Sequence, residues 1–478
     1  MRPAGGANHA SGAPDRGAAE ILARVERLPP SRYIWNLVLL LSLGAFFEIY
    51  DLLMTGYVSP GLILAGIFAE GRAGAFGLSD QAAFAAATFS GLFVGTILFG
   101  SVADRFGRRT VFTYALLWYA AATLVMGLQS TSEGIFAWRF VAGLGLGVEM
   151  ITIDTFIAEL AHRQSRGQAF AFNQGVMFLS VPTVAALSWA LTSRAPFGIQ
   201  GWRWVVFFPV VAAVVVWWIR REVPESPRWL VQQGRLSDAD IIVATMERAI
   251  EKEQGGALPE PDATAGDSFD SSERRGGLRE LLRPPIRTRV VLLSVFNFFQ
   301  TIGFYGFGNW VPRLVADQGV SVTDSLAYSA IIALAFPIGP FLFTLFADRF
   351  ERKWQAVVAA LGTASFGLLF TMAREPWAII AVGVAITLCN NLLSYSYHAY
   401  QAEVFPTSIR ARAVGFVYSF SRFSTIFTSF MIAYFSSRFG NPGVFAFIAA
   451  SMVIAALAIS AGPPTRGRTL ERISSDVA

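Results

Sequence analysis

The run from Leu37 to Met54 constrains this chain most, because it is long and apolar enough to cross a bilayer as a helix yet carries two acids, Glu48 and Asp51. An ionised acid near the middle of such a span costs roughly 2.5 to 3.5 kcal/mol even on the lenient insertion scale. Acids in that position face a partner or a watery cavity and mark an ion or solute route. Three residues turn a regular helix by about 300°, which sets Glu48 and Asp51 on neighbouring faces.

The run has company. Apolar stretches of spanning length predict helices near 34–57, 82–102, 110–129, 135–158, 169–192 and 203–220, then 289–311, 326–347, 354–373, 377–399, 413–436 and 443–461. With 54% hydrophobic and only 15% charged residues, the composition is that of a polytopic membrane protein and not of an ordinary soluble domain. The expected fold class is therefore an all-α membrane protein of twelve transmembrane helices in two six-helix bundles. The expected divisions are an N-terminal tail, 1–33, read as disordered; a first bundle, 34–220; a linker with short helices, 221–288; a second bundle, 289–461; and a C-terminal tail, 462–478.

Orientation follows from the basic residues. With the N-terminus inside, thirty Lys and Arg fall on the cytoplasmic side and six outside, while Arg139 and Arg422 lie within apolar runs. That asymmetry puts both termini in the cytoplasm of a multi-pass protein of the cell (inner) membrane. Basic residues beside apolar runs also argue for a lipid bilayer and against nucleic acid as the partner.

Other classes find little support. Cys389 is the single cysteine, and His9, His162 and His398 are widely scattered, so no metal centre is expected. There is no phosphate-cradling glycine loop and no nucleophile motif, so neither a cofactor nor enzymatic activity is expected.

The halves repeat. Asp104-Arg105-Phe106 recurs as Asp348-Arg349-Phe350, Arg108-Arg109 as Arg352-Lys353, Glu159 as Glu403 and Arg166 as Arg410, each at an offset of 244. Copies in the same topology place a cavity between them. In the linker, Ser237-Asp238-Ala239-Asp240 reads as a helix cap before an amphipathic stretch ending near Gln254, and 255–277 reads as flexible.

After residue 34 the sequence resembles the major facilitator superfamily. The loop Gly100-Ser101-Val102-Ala103-Asp104-Arg105-Phe106-Gly107-Arg108-Arg109 carries its signature. The second copy departs from it, with Glu351 where the glycine would stand and Thr344 at the first position. Pro224-Glu225-Ser226-Pro227-Arg228-Trp229-Leu230, Glu159 with Arg166-Gly167, and Gly467-Arg468-Thr469-Leu470-Glu471 are similar to the sugar porters. Glu48-Ile49-Tyr50-Asp51, and Arg139-Phe140 with Gly143, Gly147 and Glu149, are similar to the proton-linked metabolite symporters, which carry small organic acids and zwitterions.

The resemblance implies site residues position by position. Asp51 stands where sugar-porter symporters hold their titrating acid and Arg139 where they hold its partner, with Glu48 and Glu149 beside them. Gln174 stands at a substrate-binding glutamine, and Gln300 keeps one of a pair, with Tyr305 in place of a nearby asparagine. The tenth helix lacks the sugar porters' tryptophan and offers Asn390, Asn391, Tyr395, Tyr397 and His398. Arg422 suits a carboxylate, whereas a neutral sugar has no use for it. An inner latch is implied at Gly100, Asp104, Arg105, Gly107, Arg108, Arg109, Glu159, Arg166, Asp348, Arg349, Arg352, Glu403 and Arg410.

Each assignment has a structural competitor. Asp51 and Arg139 could form a permanent salt bridge, Arg422 could link helices, and the amides could be packing glue. Trp310 and the tyrosines could belong to interface belts, and His398 is read as structural. The functional expectation is a monomeric secondary active transporter, a proton-coupled symporter of a small organic solute, in particular an organic acid. A sugar or polyol symporter is the alternative within transport, and a non-transporting membrane sensor the alternative outside it.

Overall fold

A computed structural model describes residues 16–69, 79–99, 102–160, 166–211, 218, 221–261, 281, 283–284, 286–344, 350–405 and 409–465. Within these, the side chains of 16, 103–104, 148–152, 154–155, 158, 166–167, 341, 344, 402 and 410–412 fall outside the description. All regular structure among the described residues is helical. Before the central segment come α1 (Arg16–Glu26), α2 (Arg32–Leu64), α3 (Asp80–Phe99), α4 (Val102–Phe106), α5 (Arg108–Gly127), α6 (Ser132–Leu160), α7 (Arg166–Phe178), α8 (Ser180–Leu191) and α9 (Gly201–Phe207). The central segment holds α10 (Pro227–Gln232) and α11 (Leu236–Gln254). After it come α12 (Ile286–Gly308), α13 (Val311–Ala316), α14 (Val322–Ala333), α15 (Ala335–Thr344), α16 (Arg352–Phe370), α17 (Pro376–Val404) and α18 (Arg410–Ser460).

Helix stands at each of the twelve expected positions, although the sixth is described only as α9 and the 3-10 turn Phe208–Val211. Several spans are less regular than hydropathy suggests. The fifth breaks at Leu179 between α7 and α8, and the eighth at Leu334 between α14 and α15. The seventh gives way to α13 through a turn at 309–310. The last two are joined as α18, with a kink at Gly440 (φ 62°, ψ −162°) just before Pro442. Hydropathy averages over such breaks, because a broken helix stays apolar throughout.

The 244 offset reappears in three dimensions. Helices α5 and α16 begin at 108 and 352, α6 and α17 at 132 and 376, and α7 and α18 at 166 and 410. Within the first half, α3 and α6 pack backbone to backbone. A Cβ on Gly91 would come within 2.2 Å of the Phe140 carbonyl oxygen, and one on Gly147 within 2.3 Å of that of Leu92. Between the halves, the seam is formed by ring contacts. Phe89 meets Tyr305 at 4.9 Å, Phe178 meets Phe336 at 5.8 Å and Phe93 meets Phe423 at 6.1 Å.

The N-terminal segment corrects the expectation of disorder from Arg16 onward. Helix α1 docks on the central segment, burying Ile21 and Val25 against Trp229, Leu230, Ala239 and Val243. Its polar side is clamped by charge, with Arg24 reaching Glu247 at 2.6 Å and Asp240 at 2.5 Å, Arg27 reaching Glu247 at 2.6 Å, and Glu26 held by Arg228 at 2.5 Å. An Ala- and Gly-rich segment therefore orders because α11 supplies the apolar and acidic surface that it lacks by itself. Glu253 of α11 accepts from the Arg32 and Tyr33 amides at 2.7 and 3.1 Å, capping the start of α2. The helix cap expected at Ser237 lies at Arg235 instead, while Gly255, in the left-handed region (φ 70°), ends α11 after Gln254 as expected. Residues 262–277 of the expected flexible linker lie outside the described part.

Burial pushes the Glu247 carboxyl up, but the hydrogen bonds from Arg24 and Arg27 outweigh it and hold it below the usual carboxylate range. A depressed folded-state value means that the clamp contributes fully above the ordinary value of 4.5 and is lost as pH falls through the folded value. Trp229 fluorescence should therefore stay constant from about pH 8 to pH 5 and change only in stronger acid. Glu247→Gln should shift the emission already at neutral pH and remove that acid step.

Candidate functional site

Two buried arginines organise the interior, one within the first half and one at the seam. Arg139, on α6, donates through Nη1 to Asp51 Oδ2 at 2.7 Å, and both side chains are fully buried, at 0% exposure. Its Nε donates to Thr88 Oγ1 of α3 at 2.7 Å and its Nη2 to Thr55 Oγ1 of α2 at 3.0 Å. Nη2 also reaches the Asp51 carbonyl oxygen. Thr123 of α5 donates to Asp51 Oδ1 at 3.4 Å, and the Phe84 ring lies 5.5 Å from the guanidinium. Every nitrogen of Arg139 is thus engaged, and the pair ties α2, α3, α5 and α6 together. Such completeness is what a charge pair needs in a medium that offers no water. The threonines escaped the sequence reading; Thr55 could have been found, since it lies one helical turn beyond Asp51 on the same face.

The second arginine, Arg422 of α18, is 93% buried, with 7% of its surface exposed. Among the described residues its hydrogen bonds go to two phenols, Tyr305 Oη of α12 at 3.3 Å and Tyr418 Oη at 3.1 Å, and its guanidinium lies 4.9 Å from the Tyr418 ring. Glu48, buried at 3% exposure on α2, stands within electrostatic reach of Arg422 and Tyr305. Positions 51 and 55 share one helix face and 48 lies on the neighbouring one, so adjoining faces of α2 serve the two arginines. His398 stacks on Tyr397 at 4.1 Å, lies 5.6 Å from Tyr418 and meets the Ser394 carbonyl at 2.7 Å through Nδ1. Tyr418 is not among the residues expected from the sequence, although it sits four residues before Arg422.

The neutral candidates are less concentrated. Gln300 donates to Thr301 at 3.0 Å. Asn390 accepts from Thr363 at 3.2 Å and donates to the Gly303 carbonyl at 3.5 Å. Asn391 donates to the carbonyls of Ala335 and Phe336 at 3.2 and 3.0 Å, both in the first turn of α15 just after the break at Leu334. All three serve contacts inside the second half. Gln174 on α7 and Tyr395 on α17 are half-buried. Trp310 lines a cavity of about 810 Å³ on the face opposite α1, with Asp80, Arg313, Asp317, Arg374 and Asn441 among its walls.

The tail-side candidates form matched pairs. Glu159 meets Arg108 at 3.4 Å, and Glu403 meets Arg352, again 244 residues on. The expected partners were Arg166 and Arg410, whose side chains lie outside the described part, as do those of Asp104 and Glu149. Gly100, Asp348 and Arg349 lie outside it altogether. Arg105 is exposed and stacks on Phe106 at 5.4 Å. Gly107, in the left-handed region at φ 96°, makes room for Glu225, whose carboxylate accepts from the Arg109 amide at 3.0 Å. Among the described residues, no cluster of His, Cys, Asp and Glu could hold a metal ion.

Comparison with known proteins agrees with this architecture. A family model described as Sugar (and other) transporter matches residues 37–477. YyaJ of Bacillus subtilis (strain 168), named for metabolite transport, is 30% identical over 448 residues, covering 94% of this chain and 96% of its own. The niacin transporter NiaP of Acinetobacter baylyi is 25% identical, with 95% and 99% covered. Among solved structures, the inward open xylose transporter XylE from E. coli superposes with a TM-score of 0.72 at 20% identity, covering 93% of this chain and 100% of that one, which is a likeness of fold.

Removing one partner of the buried pair leaves the other charge uncompensated, and Arg139→Met should destabilise the protein by roughly 3 to 5 kcal/mol. The double variant with Asp51→Asn should recover part of that loss. Thermal unfolding in detergent of the two single variants and the double variant measures the coupling.

Proposed function

Because the chain belongs to the sugar (and other) transporter family, within the major facilitator superfamily, we propose that this multi-pass membrane transporter is a proton-coupled symporter of a small organic acid. The observation that carries the reading is the placement of Arg422 at the seam, buried, held by two phenols and within electrostatic reach of Glu48 of the opposite half. A guanidinium so placed offers a fork to a solute carboxylate, and a neutral sugar would leave that charge unanswered. The amides that would serve a sugar, Gln300, Asn390 and Asn391, are engaged within their own half.

The proton is assigned to Asp51. Ionised, it pairs with Arg139; protonated, it releases the guanidinium to Thr55 and Thr88, which already hold it. Desolvation favours the neutral acid and the nearby arginine favours the ionised one, so a small displacement of α6 against α2 changes the protonation state. Alternating access then exposes the acid to each side in turn. The face opposite α1 is closed here by Gly56, where a Cβ would lie 2.0 Å from the Asn309 carbonyl oxygen. The ion pairs Arg108–Glu159 and Arg352–Glu403 are assigned to the gate on the α1 side, which the basic-residue count places in the cytoplasm.

Uptake into proteoliposomes with an inside-alkaline pH gradient, screening labelled organic acids against sugars, tests the reading. The wild type should concentrate an acid and no hexose. Asp51→Asn should only equilibrate it, and gradient-driven accumulation by that variant would end the proton assignment. Arg422→Gln should raise KM for the acid by at least about tenfold, the loss expected for a charge-assisted hydrogen bond. Unchanged KM would remove Arg422 from the binding site.

A further inference from the structure

The turn between α12 and α13 holds a polar side chain in an unusual position. Asn309 is 2% exposed, and among the described residues neither Nδ2 nor Oδ1 of its amide has a hydrogen-bond partner. Its main chain is tied down, with the amide donating to the Tyr305 carbonyl at 3.2 Å and the carbonyl pressed against Gly56 of α2. One residue before it, a Cβ on Gly308 would lie 3.6 Å from Leu53 Cδ2 of α2. One residue after it, Trp310 lines the cavity of about 810 Å³ on the face opposite α1. One turn below, Tyr305 holds Arg422. Asn309 therefore sits in the plug that separates this cavity from the seam site, and both of its polar atoms are buried there unanswered.

A buried amide with neither group answered is a standing penalty on the state that buries it. That state is the closed plug. Parting α2 from the 308–309 turn opens Asn309 towards the cavity, where water or a passing solute satisfies both atoms. We propose that Asn309 is a positioning residue of this gate, whose orphaned amide weakens the closed form and keeps the gate able to open. The inference rests on the alternating-access reading above. It assigns to Asn309 a function in the gate equilibrium, with no part in holding the solute or the proton.

The gate can be read without knowing the solute. In a Cys389→Ser background, a reporter Leu53→Cys, buried at 1% exposure in the closed plug, is labelled by N-ethylmaleimide in proteoliposomes only as often as the gate opens. Adding Asn309→Leu, which fills the site with an apolar side chain, should slow labelling by about five- to 150-fold and raise the melting temperature. Asn309→Ala, which removes the amide without adding bulk, should slow labelling in the same direction. A merely structural asparagine predicts the opposite, a lower melting temperature with labelling unchanged or faster in both variants, and that result overturns the proposal. Gly56→Leu serves as the control, since its side chain cannot fit against the Asn309 carbonyl and should hold the gate open with fast labelling. Slow labelling there would show that α2 and the 308–309 turn are not a gate, and alternating access at this point would fall before any statement about Asn309.

Discussion

The Asp51–Arg139 pair is the constraint on which the first half depends. Two opposite charges in an apolar interior are tolerable only when geometry answers both, and here three threonines from three helices complete what the pair leaves open. The consequence is mechanical as well as electrostatic. While Asp51 is ionised and paired, helices α2, α3, α5 and α6 cannot part widely without exposing a charge, which holds them together. The glycine contacts between α3 and α6 act in the same direction, since main chains that touch leave no slack.

The seam between the halves is built on different terms. Besides Arg422 and its partners, it is made of ring pairs, of aliphatic contacts such as Leu326 and Ala333 packed in the core of the first half, and of a main-chain contact at Gly56. Such surfaces are non-directional and can repack at low cost, whereas the hydrogen bonds of Gln300, Asn390 and Asn391 stay within their own half. Side-chain hydrogen bonds kept inside each body, with a largely apolar seam between them, are the division that rigid-body motion requires. Arg422, facing Glu48 across that seam, is the principal departure from it. A charge at a moving surface is where a solute can change the balance between two arrangements.

On the tail side, charge acts as a fastener. The Arg108–Glu159 and Arg352–Glu403 pairs are copies of one another, and Glu225 of the central segment seats itself over Gly107. Helix α1 extends this belt through Arg228, which holds Glu26 and also donates to the Glu159 carbonyl at 3.3 Å. The central segment is thereby joined to the first half and to the start of α2.

The sequence by itself determined what depends on local composition and on repetition. Spanning helices follow from the length of apolar runs, and the doubling at an offset of 244 from motifs that the structure shows again as helix starts and ion pairs. The pairing of Asp51 with Arg139 was also legible, through the resemblance, which implies an acid and its arginine partner at these two positions. Tertiary structure decided every choice among several available partners. Glu159 and Arg108 lie 51 residues apart in sequence, and the packing of α5 on α6 brings them together. Asn391 reads as a binding amide until α15 presents it with the carbonyls of its first turn, among them that of Phe336, which Pro340 cannot serve. Residues 16–26 look unstructured until α11 offers them a face. The physical reason is the same in each case: hydropathy is a property of a segment, whereas a hydrogen bond or ion pair depends on a distance between segments that the chain does not record.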